Sequence, residues 1–256
     1  MLKRKMIRCA SVTLFSWAAL AVVTGACGGG SSSSKDAAVT PDSGGGDGLS
    51  AATCMKQMVP KTPGQPFIIN DFSMPDATNT KVSWGYSGET VFSGFSFVYP
   101  QPGIVSDMAG GAWHLTGTIG DYSGFSLGFS CAVDASMFTG ISFTIKGDAG
   151  TTGRLIMSVG TSPDDINGVM DAPSWGKCVP KTGPYDGTCQ SPRADVSVTG
   201  TANTVKIKWA DLKGGAPQAS VSPDSLSGIV WIWDWVAGAT PFATDITIDD
   251  IAFTVD

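Results

Sequence analysis

Residues 245–256, DITIDDIAFTVD, decide the fold class of this chain. Apolar and polar residues alternate along them in two sets, first Ile246 and Ile248 and then Ile251, Phe253 and Val255. The two sets are out of phase by one residue, and the change falls on Asp249 and Asp250. Because side chains alternate between the two faces of a strand, one face stays buried across such a change only if one residue bulges out of the ladder. The stretch therefore predicts a half-buried strand with a bulge at the acid pair.

The same period-two pattern recurs along the chain, with almost no helical periodicity. Short alternating runs are separated by Gly, Pro, Asp and Ser, which is typical of strands joined by turns. The clearest runs are 125–133, 141–145, 155–159, 205–209 and 229–235. Residues 54–256 are within the length range of a single domain. We predict an all-β domain there, a two-sheet antiparallel β-sandwich.

The first 26 residues predict a signal peptide. Basic residues at positions 3, 4, 5 and 8 precede an apolar run, 12–23, that is short for a membrane span. The run leads into Thr24, Gly25, Ala26 and Cys27, which resembles a bacterial lipoprotein box with Thr24 in place of the usual Leu, Val or Ile. We therefore predict export and lipidation at Cys27, with plain secretion as the alternative.

Residues 27–53 predict a flexible tether, because they are rich in Gly, Ser and Asp and cannot bury a core. The expected location is the outer membrane or cell surface, with the lipid in the membrane. Loss of residues 1–26 removes four of 16 basic and none of 22 acidic residues, which leaves a net charge of −10. Nucleic-acid binding is not expected at that charge, because phosphate neutralisation needs a basic patch.

Four cysteines fall in the predicted domain, and an exported chain is expected to pair them. Cys178 and Cys189 close one short loop, so we predict a disulfide between them. Cys54 and Cys131 would form the remaining pair. A zinc site is the alternative, but the chain has a single His and no Cys-x-x-Cys motif.

Five segments resemble, in order and spacing, family 11 carbohydrate-binding modules within the galactose-binding-like jelly rolls. They are FIINDF (67–72), FTGISFTIKG (138–147), VKIKWADL (205–212), LSGIVW (226–231) and IDDIAF (248–253). The resemblance covers most of residues 66–256. It implies a jelly roll, often with a structural calcium ion and with a glycan cleft on the concave sheet.

The resemblance also implies that the first and last strands lie close together. Asp71 would then approach Asp249 and Asp250, and a calcium ion, which prefers oxygen ligands, would offset their repulsion. The alternative is that one of these carboxylates faces solvent while another caps the bulge.

Candidate glycan-binding residues are aromatic or polar and are expected on exposed surfaces: Trp84, Tyr86, His114, Trp175, Tyr185 and Asp234. Flat rings stack on the C–H faces of sugars, but large aromatics also dominate cores. For Trp231 and Trp233 we favour the core, because they are in phase with Ile229. Val230, Ile232 and Asp234 would then face the cleft. Trp235 is in phase with Trp231. For His114, the alternative is that it is an ordinary polar residue on the surface of a strand.

Catalysis is not expected. Gly124–Gly128 matches the G-x-S-x-G nucleophile motif, but it lies inside an alternating run and no His follows it. Glu89 is the only Glu, so the chain has few candidates for the paired catalytic carboxylates of a glycosidase. The sequence therefore predicts a monomeric, non-enzymatic polysaccharide-binding protein. The alternatives are a structural or adhesion lipoprotein and a glycan-active hydrolase or lyase.

Overall fold

The computed structural model describes residues 57–59, 64–73, 82–85, 93–99, 103–108, 110–166, 176–183 and 186–255. All of them belong to one structural unit, 45–256. They form thirteen β-strands and a single 3-10 helix, Trp209–Asp211, with no α-helix among them. In chain order the strands are β1 (Gln57–Met58), β2 (Phe67–Asn70), β3 (Val82–Gly85), β4 (Ser93–Tyr99), β5 (Ile104–Asp107), β6 (Trp113–Ile119), β7 (Gly124–Asp134), β8 (Gly140–Asp148), β9 (Arg154–Thr161), β10 (Arg193–Ser197), β11 (Asn203–Lys208), β12 (Leu226–Trp233) and β13 (Phe242–Thr254).

The strands form two sheets. The seven-stranded sheet has the order β10-β9-β12-β7-β4-β3, and β1 pairs with β7. The six-stranded sheet has the order β11-β8-β13-β6-β5, and β2 pairs with β13. All of these pairings are antiparallel except the short parallel pairing of β1 with β7. The predicted antiparallel β-sandwich is thus confirmed.

The core lies between the sheets and is rich in aromatic rings. Phe125 of β7 contacts Trp113 of β6 edge to face, with ring centroids 5.2 Å apart. Trp231 of β12 contacts Phe143 of β8 in the same way at 5.4 Å. Because each of these pairs joins one sheet to the other, the rings fix how the two sheets face each other.

Trp231 and Trp233 are core residues, as the phase with Ile229 predicted. Their exposed fractions are 0% and 1%, and the Trp233 Nε1–H donates a hydrogen bond to Thr244 Oγ1 at 2.7 Å. Trp235 is partly buried and packs against the same core. Trp231 and Trp233 therefore offer no open ring face to a ligand.

The bulge predicted at the acid pair is present in β13. Asp249 pairs with Thr144 of β8, but Ala252 pairs with Ser142, so β13 carries one extra residue. Asp250 has a positive φ of 52°, a conformation that Asp tolerates better than most residues. Ile248 and Ile251, on either side of the bulge, are consequently both fully buried.

Cys178 and Cys189 form the predicted disulfide, with their Cα atoms 5.7 Å apart. Cys131 in β7 is also disulfide-bonded. Its expected partner, Cys54, lies outside the described residues, so that pairing stays a prediction.

Several other predictions also fall outside the described residues: the signal peptide 1–26, the tether 27–53 with Cys27, and the candidates Tyr86, Trp175 and Tyr185. Within the described part of the chain, no helix is long and apolar enough to cross a membrane.

Candidate functional site

The outer face of the seven-stranded sheet carries a row of half-buried side chains. In β9, Ile156 and Ser158 point away from the core because they alternate with fully buried neighbours. In β12, Val230 does the same between the buried Ile229 and Trp231, and Ile232 between the buried Trp231 and Trp233. Ile232 pairs with Ile156, so these two form a small apolar floor across adjacent strands. The cleft-facing orientation expected for Val230 and Ile232 therefore agrees with the alternation.

A cleft of about 720 Å³ lies over this floor. Among the described residues it is lined by Tyr122, Ile156, Ser158, Gly187, Cys189, Gln190, Ser191, Arg193 and Ile232. Its volume is in the range of small-molecule sites, and it combines an apolar floor with polar groups at the wall. Such a lining suits a ligand that has both apolar faces and hydroxyl groups.

Three aromatic rings line up beside the cleft. Phe97 and Tyr99 of β4 lie 6.0 Å apart between ring centroids, and Tyr99 lies 5.9 Å from Tyr122, which precedes β7. Burial raises the pKa of Tyr99 far above its usual range. A Cβ at Gly124 would lie 2.5 Å from the Tyr99 hydroxyl, so the close packing of this ring requires glycine there. Tyr122 is 56% exposed and is the ring available to a ligand.

The opposite wall is the loop closed by Cys178 and Cys189. Inside it, Asp186 accepts hydrogen bonds from Thr182 N at 2.7 Å and from the N and Oγ1 of Thr188 at 2.9 and 2.6 Å. These bonds hold the pKa of Asp186 well below its usual range, with the Thr188 hydroxyl contributing most. The loop is thus held by a cross-link and by one central carboxylate.

After Cys189 the chain joins the sheet edge. The backbone of Gln190 exchanges two hydrogen bonds with Ala216, both 2.8 Å, and that of Arg193 exchanges two with Lys213, both 2.9 Å. With the Gln190 amide oriented so that its oxygen faces Arg193, this oxygen accepts from Nη2 at 2.8 Å and Nη1 at 3.1 Å. Backbone pairing and side-chain contact therefore fix the Arg193 guanidinium at the cleft.

Asp234, a predicted glycan ligand, lies just beyond Ile232 and is held by an ion pair. Arg154 donates to Asp234 Oδ2 from Nη2 at 2.6 Å and from Nε at 3.1 Å, and to Asp195 Oδ2 from Nη1 at 2.8 Å. The two carboxylates raise the pKa of Arg154, and Asp234 contributes most. Asp234 is therefore near the cleft, but it is already ion-paired with Arg154.

His114 lies on the other sheet. It is in β6 between the buried Trp113 and Leu115, and its Nε2 lies 2.8 Å from Asp245 Oδ1 of β13. The outer face of the six-stranded sheet is on the far side of the sandwich from the cleft, so the structure does not bring His114 and Asp234 together. Trp84 is in β3 opposite Gly94, and its side chain is outside the described part.

Ser126 of the G-x-S-x-G motif lies within β7, paired with Val230 on one side and Phe97 on the other. Its side chain is buried, at 2% exposure. A nucleophile elbow needs a turn from strand to helix, so the position confirms the rejection of that motif.

The predicted cation site involves the carboxylates of Asp71, Asp249 and Asp250. Burial raises the pKa of Asp249, and the charges of Asp250 and Asp71 add to this effect, so the three lie close enough to repel. Asp71 Oδ1 accepts from the N and Oγ of Ser73 at 3.1 and 2.7 Å. Among the described residues, no group of three or more His, Cys, Asp or Glu side chains is arranged to hold a metal ion. A calcium ion would need further oxygen ligands here, and its presence stays a prediction.

Most of the cleft wall was not predicted from the sequence, namely Tyr122, Ile156, Gln190 and Arg193. Tyr122 did carry a signal, because it is an aromatic residue in a turn, between Asp121 and Ser123. The other three carried none. Their common location depends on β9, β10 and the Cys178–Cys189 loop meeting at one sheet edge.

No protein-family model matches the chain, and no curated protein matches it. Several solved structures are similar at low identity. The family 11 carbohydrate-binding module of the cellulosomal cellulase Lic26A-Cel5E of Clostridium thermocellum is 16% identical, with 76% of this chain and 97% of that chain covered and a TM-score of 0.45. A family 11 module from Clostridium thermocellum in complex with a β-1,3-1,4-mixed-linked tetrasaccharide is 16% identical over 74% and 95% of the two chains, with a TM-score of 0.44. A variant of a family 29 module is 14% identical over 74% and 90%, with a TM-score of 0.37.

Proposed function

We propose that this chain binds a polysaccharide or oligosaccharide, without chemistry, in the cleft on the outer face of the seven-stranded sheet. The observation that carries the proposal is the exposed ring of Tyr122 beside the apolar floor of Ile156 and Ile232. A sugar ring has apolar C–H faces and a rim of hydroxyl groups. Side chains with an apolar body and a polar tip match both parts of such a ligand.

Polar groups in the cleft wall match the hydroxyl groups of such a ligand. Ser158, Gln190 and Ser191 offer donors and acceptors on one side of the floor. The disulfide-closed loop holds this wall in place before a ligand arrives, which lowers the ordering cost of binding.

The proposal places this domain outside the cell as a monomer. Lipidation at Cys27 would tether it through residues 27–53 to the outer membrane or cell surface, where polysaccharides are accessible. Mass spectrometry of the mature N-terminus tests this part, since a diacylglyceryl-modified Cys27 would support it and an unmodified or uncleaved chain would contradict it.

The binding proposal is tested by affinity electrophoresis and calorimetry against a panel of soluble glucans, mannans, xylans and pectins. We expect retention by at least one polymer and no release of reducing ends or unsaturated products. Tyr122→Ala should weaken binding about tenfold with an unchanged melting temperature, whereas Tyr122→Phe should retain most of it.

His114→Ala is the matched control, because His114 lies on the opposite sheet. If it weakens binding while Tyr122→Ala does not, the site is on the six-stranded sheet instead. A chain that no glycan retains would favour the structural or adhesion alternative, and product release would favour the enzyme.

A further inference from the structure

The two arginines on the outer face of the seven-stranded sheet differ in their partners. Arg154 is neutralised by Asp195 and Asp234, at 2.8 and 2.6 Å. Arg193, two residues before Asp195 on the same strand, lines the cleft. No carboxylate among the described residues forms an ion pair with Arg193. Asp195 and Asp234 are therefore both paired with Arg154. Arg193 faces the cleft with no ion-pair partner among the described residues.

The guanidinium of Arg193 is held but not saturated. The Gln190 oxygen accepts from its two terminal nitrogens, at 2.8 and 3.1 Å. Arginine has five N–H donors in a fixed plane, so about three remain for another acceptor. Gln190 contributes no charge, so it orients the group without neutralising it. An oriented, uncompensated guanidinium matches the planar geometry of a carboxylate or the oxygens of a sulfate.

A second cation lies next to Arg193. Lys213 is directly opposite it in an isolated antiparallel bridge, and both hydrogen bonds of the pair are made. Residues opposite each other in such a pair project to the same side, and like charges there are unfavourable. Neither side chain has an acidic partner among the described residues. An anion bound at this edge would relieve the repulsion.

We infer that the ligand of the cleft is an acidic glycan whose carboxylate or sulfate group binds Arg193 while its sugar rings cover Ile156, Ile232 and Tyr122. The inference rests on the proposed function and specifies the class of sugar. It is opposed by the overall charge of the predicted mature chain, −10, which repels an acidic polymer. A preference for acidic over neutral polymers therefore has to come from the local arrangement at Arg193.

The test compares each acidic polymer with a neutral polymer that has the same sugar backbone. Polygalacturonate is compared with its methyl ester, and dextran sulfate with dextran, by calorimetry at low and moderate salt. We expect the wild-type chain to bind at least one acidic polymer about fivefold to tenfold more tightly than its neutral partner, with the difference shrinking as salt rises. The first pair reports a carboxylate ligand and the second a sulfate ligand.

Arg193→Gln should abolish the preference for the acidic polymer, because it should weaken binding of the acidic polymer at least fivefold more than binding of the neutral one. Arg193→Lys should restore part of it, because the charge returns without the planar fork. Lys146→Gln is the matched control, since it removes the same charge from the exposed face of the six-stranded sheet. Circular dichroism checks that every variant is folded.

Two failures are distinguishable. If neutral polymers bind as tightly as acidic ones, or if Arg193→Gln behaves like Lys146→Gln, the acidic-glycan inference is wrong while the proposed glycan binding stands. If neither acidic nor neutral polymers bind, the proposed function is overturned together with the inference.

Discussion

Trp231 of β12 stacks face to face on Phe125, its paired residue in β7, with ring centroids 5.3 Å apart and ring planes 9° apart. Both rings are fully buried. The next residue, Ile232, points to the opposite side of the sheet and lines the cleft. One strand thus contributes a core ring and a ligand-facing side chain at adjacent positions, so stability and binding can be changed separately.

Trp231→Ala should lower the free energy of unfolding by about 3–5 kcal/mol, because it removes a large buried ring and leaves a cavity. Where the variant is still folded, binding in the cleft should change little. Urea denaturation combined with calorimetry checks both. A stable variant that has lost binding would instead show that the buried ring of Trp231 is needed to position Ile232 in the cleft.

Replacing both Cys178 and Cys189 with Ser should lower the free energy of unfolding by about 2–3 kcal/mol, because the cross-link closes a loop with a sequence separation of 11. Glycan binding should weaken as well, since Cys189 and Gln190 form the cleft wall. Thermal melts and affinity electrophoresis measure the two effects. Unchanged binding in the folded variant would exclude the loop from the site.

The acid pair at the bulge allows a test for calcium. Burial and the charges of Asp250 and Asp71 raise the pKa of Asp249, so its ionised form is unfavourable without a cation. In chelator, Asp249→Asn should therefore raise the melting temperature at neutral pH. If the wild-type chain binds calcium, added calcium should raise its melting temperature. Asp249→Asn should remove that response.

Asp250→Asn is the matched variant for this test, because Asn also tolerates the positive φ of position 250. If calcium and chelator give identical wild-type melting curves, no structural calcium is bound, and the predicted cofactor is withdrawn.

Asp165, in the connection after β9, should make stability depend on pH. Burial raises its pKa to about 6, against a hydrogen bond from Ser227 that lowers it. A carboxyl group whose pKa is higher in the folded state binds its proton more tightly there. Its contribution is therefore fully present below the unfolded pKa of 3.8 and is lost as the pH rises through about 6.

Asp165→Asn should flatten this part of the pH profile and raise the free energy of unfolding at pH 8 by about 1–2 kcal/mol. Denaturation at a series of pH values measures it. Asp224→Asn, at an exposed carboxylate, is the control. An identical slope in the wild-type chain and Asp165→Asn would contradict the raised pKa.

Patterns that depend on neighbours in the chain were sufficient to predict the strands with the clearest alternation, namely β7, β8, β9, β11, β12 and β13. The alternation around Asp249 and Asp250 predicted both a strand and a bulge, because side-chain direction in a strand follows from position alone. The same reasoning placed Trp231 and Trp233 in the core. The loop disulfide was also predictable, since Cys178 and Cys189 are close in sequence.

The candidate site was less predictable. His114 and Asp234 were grouped by residue type, yet one is on each sheet, because sheet membership depends on pairing between distant strands. Arg154 and Arg193 have the same chemistry in the sequence. Only their neighbours across the sheet distinguish an arginine neutralised by two acids from one that faces the cleft.

By itself, therefore, the sequence determined the fold class, the core-facing phase of each clear strand and the acidic charge of the chain. These depend on local alternation and on composition. The tertiary structure alone decided which face carries the cleft and which charges are left uncompensated there. The reason is physical: a cleft forms where β9, β10, β12 and the disulfide-closed loop meet, and contacts between segments far apart in the chain leave no local pattern.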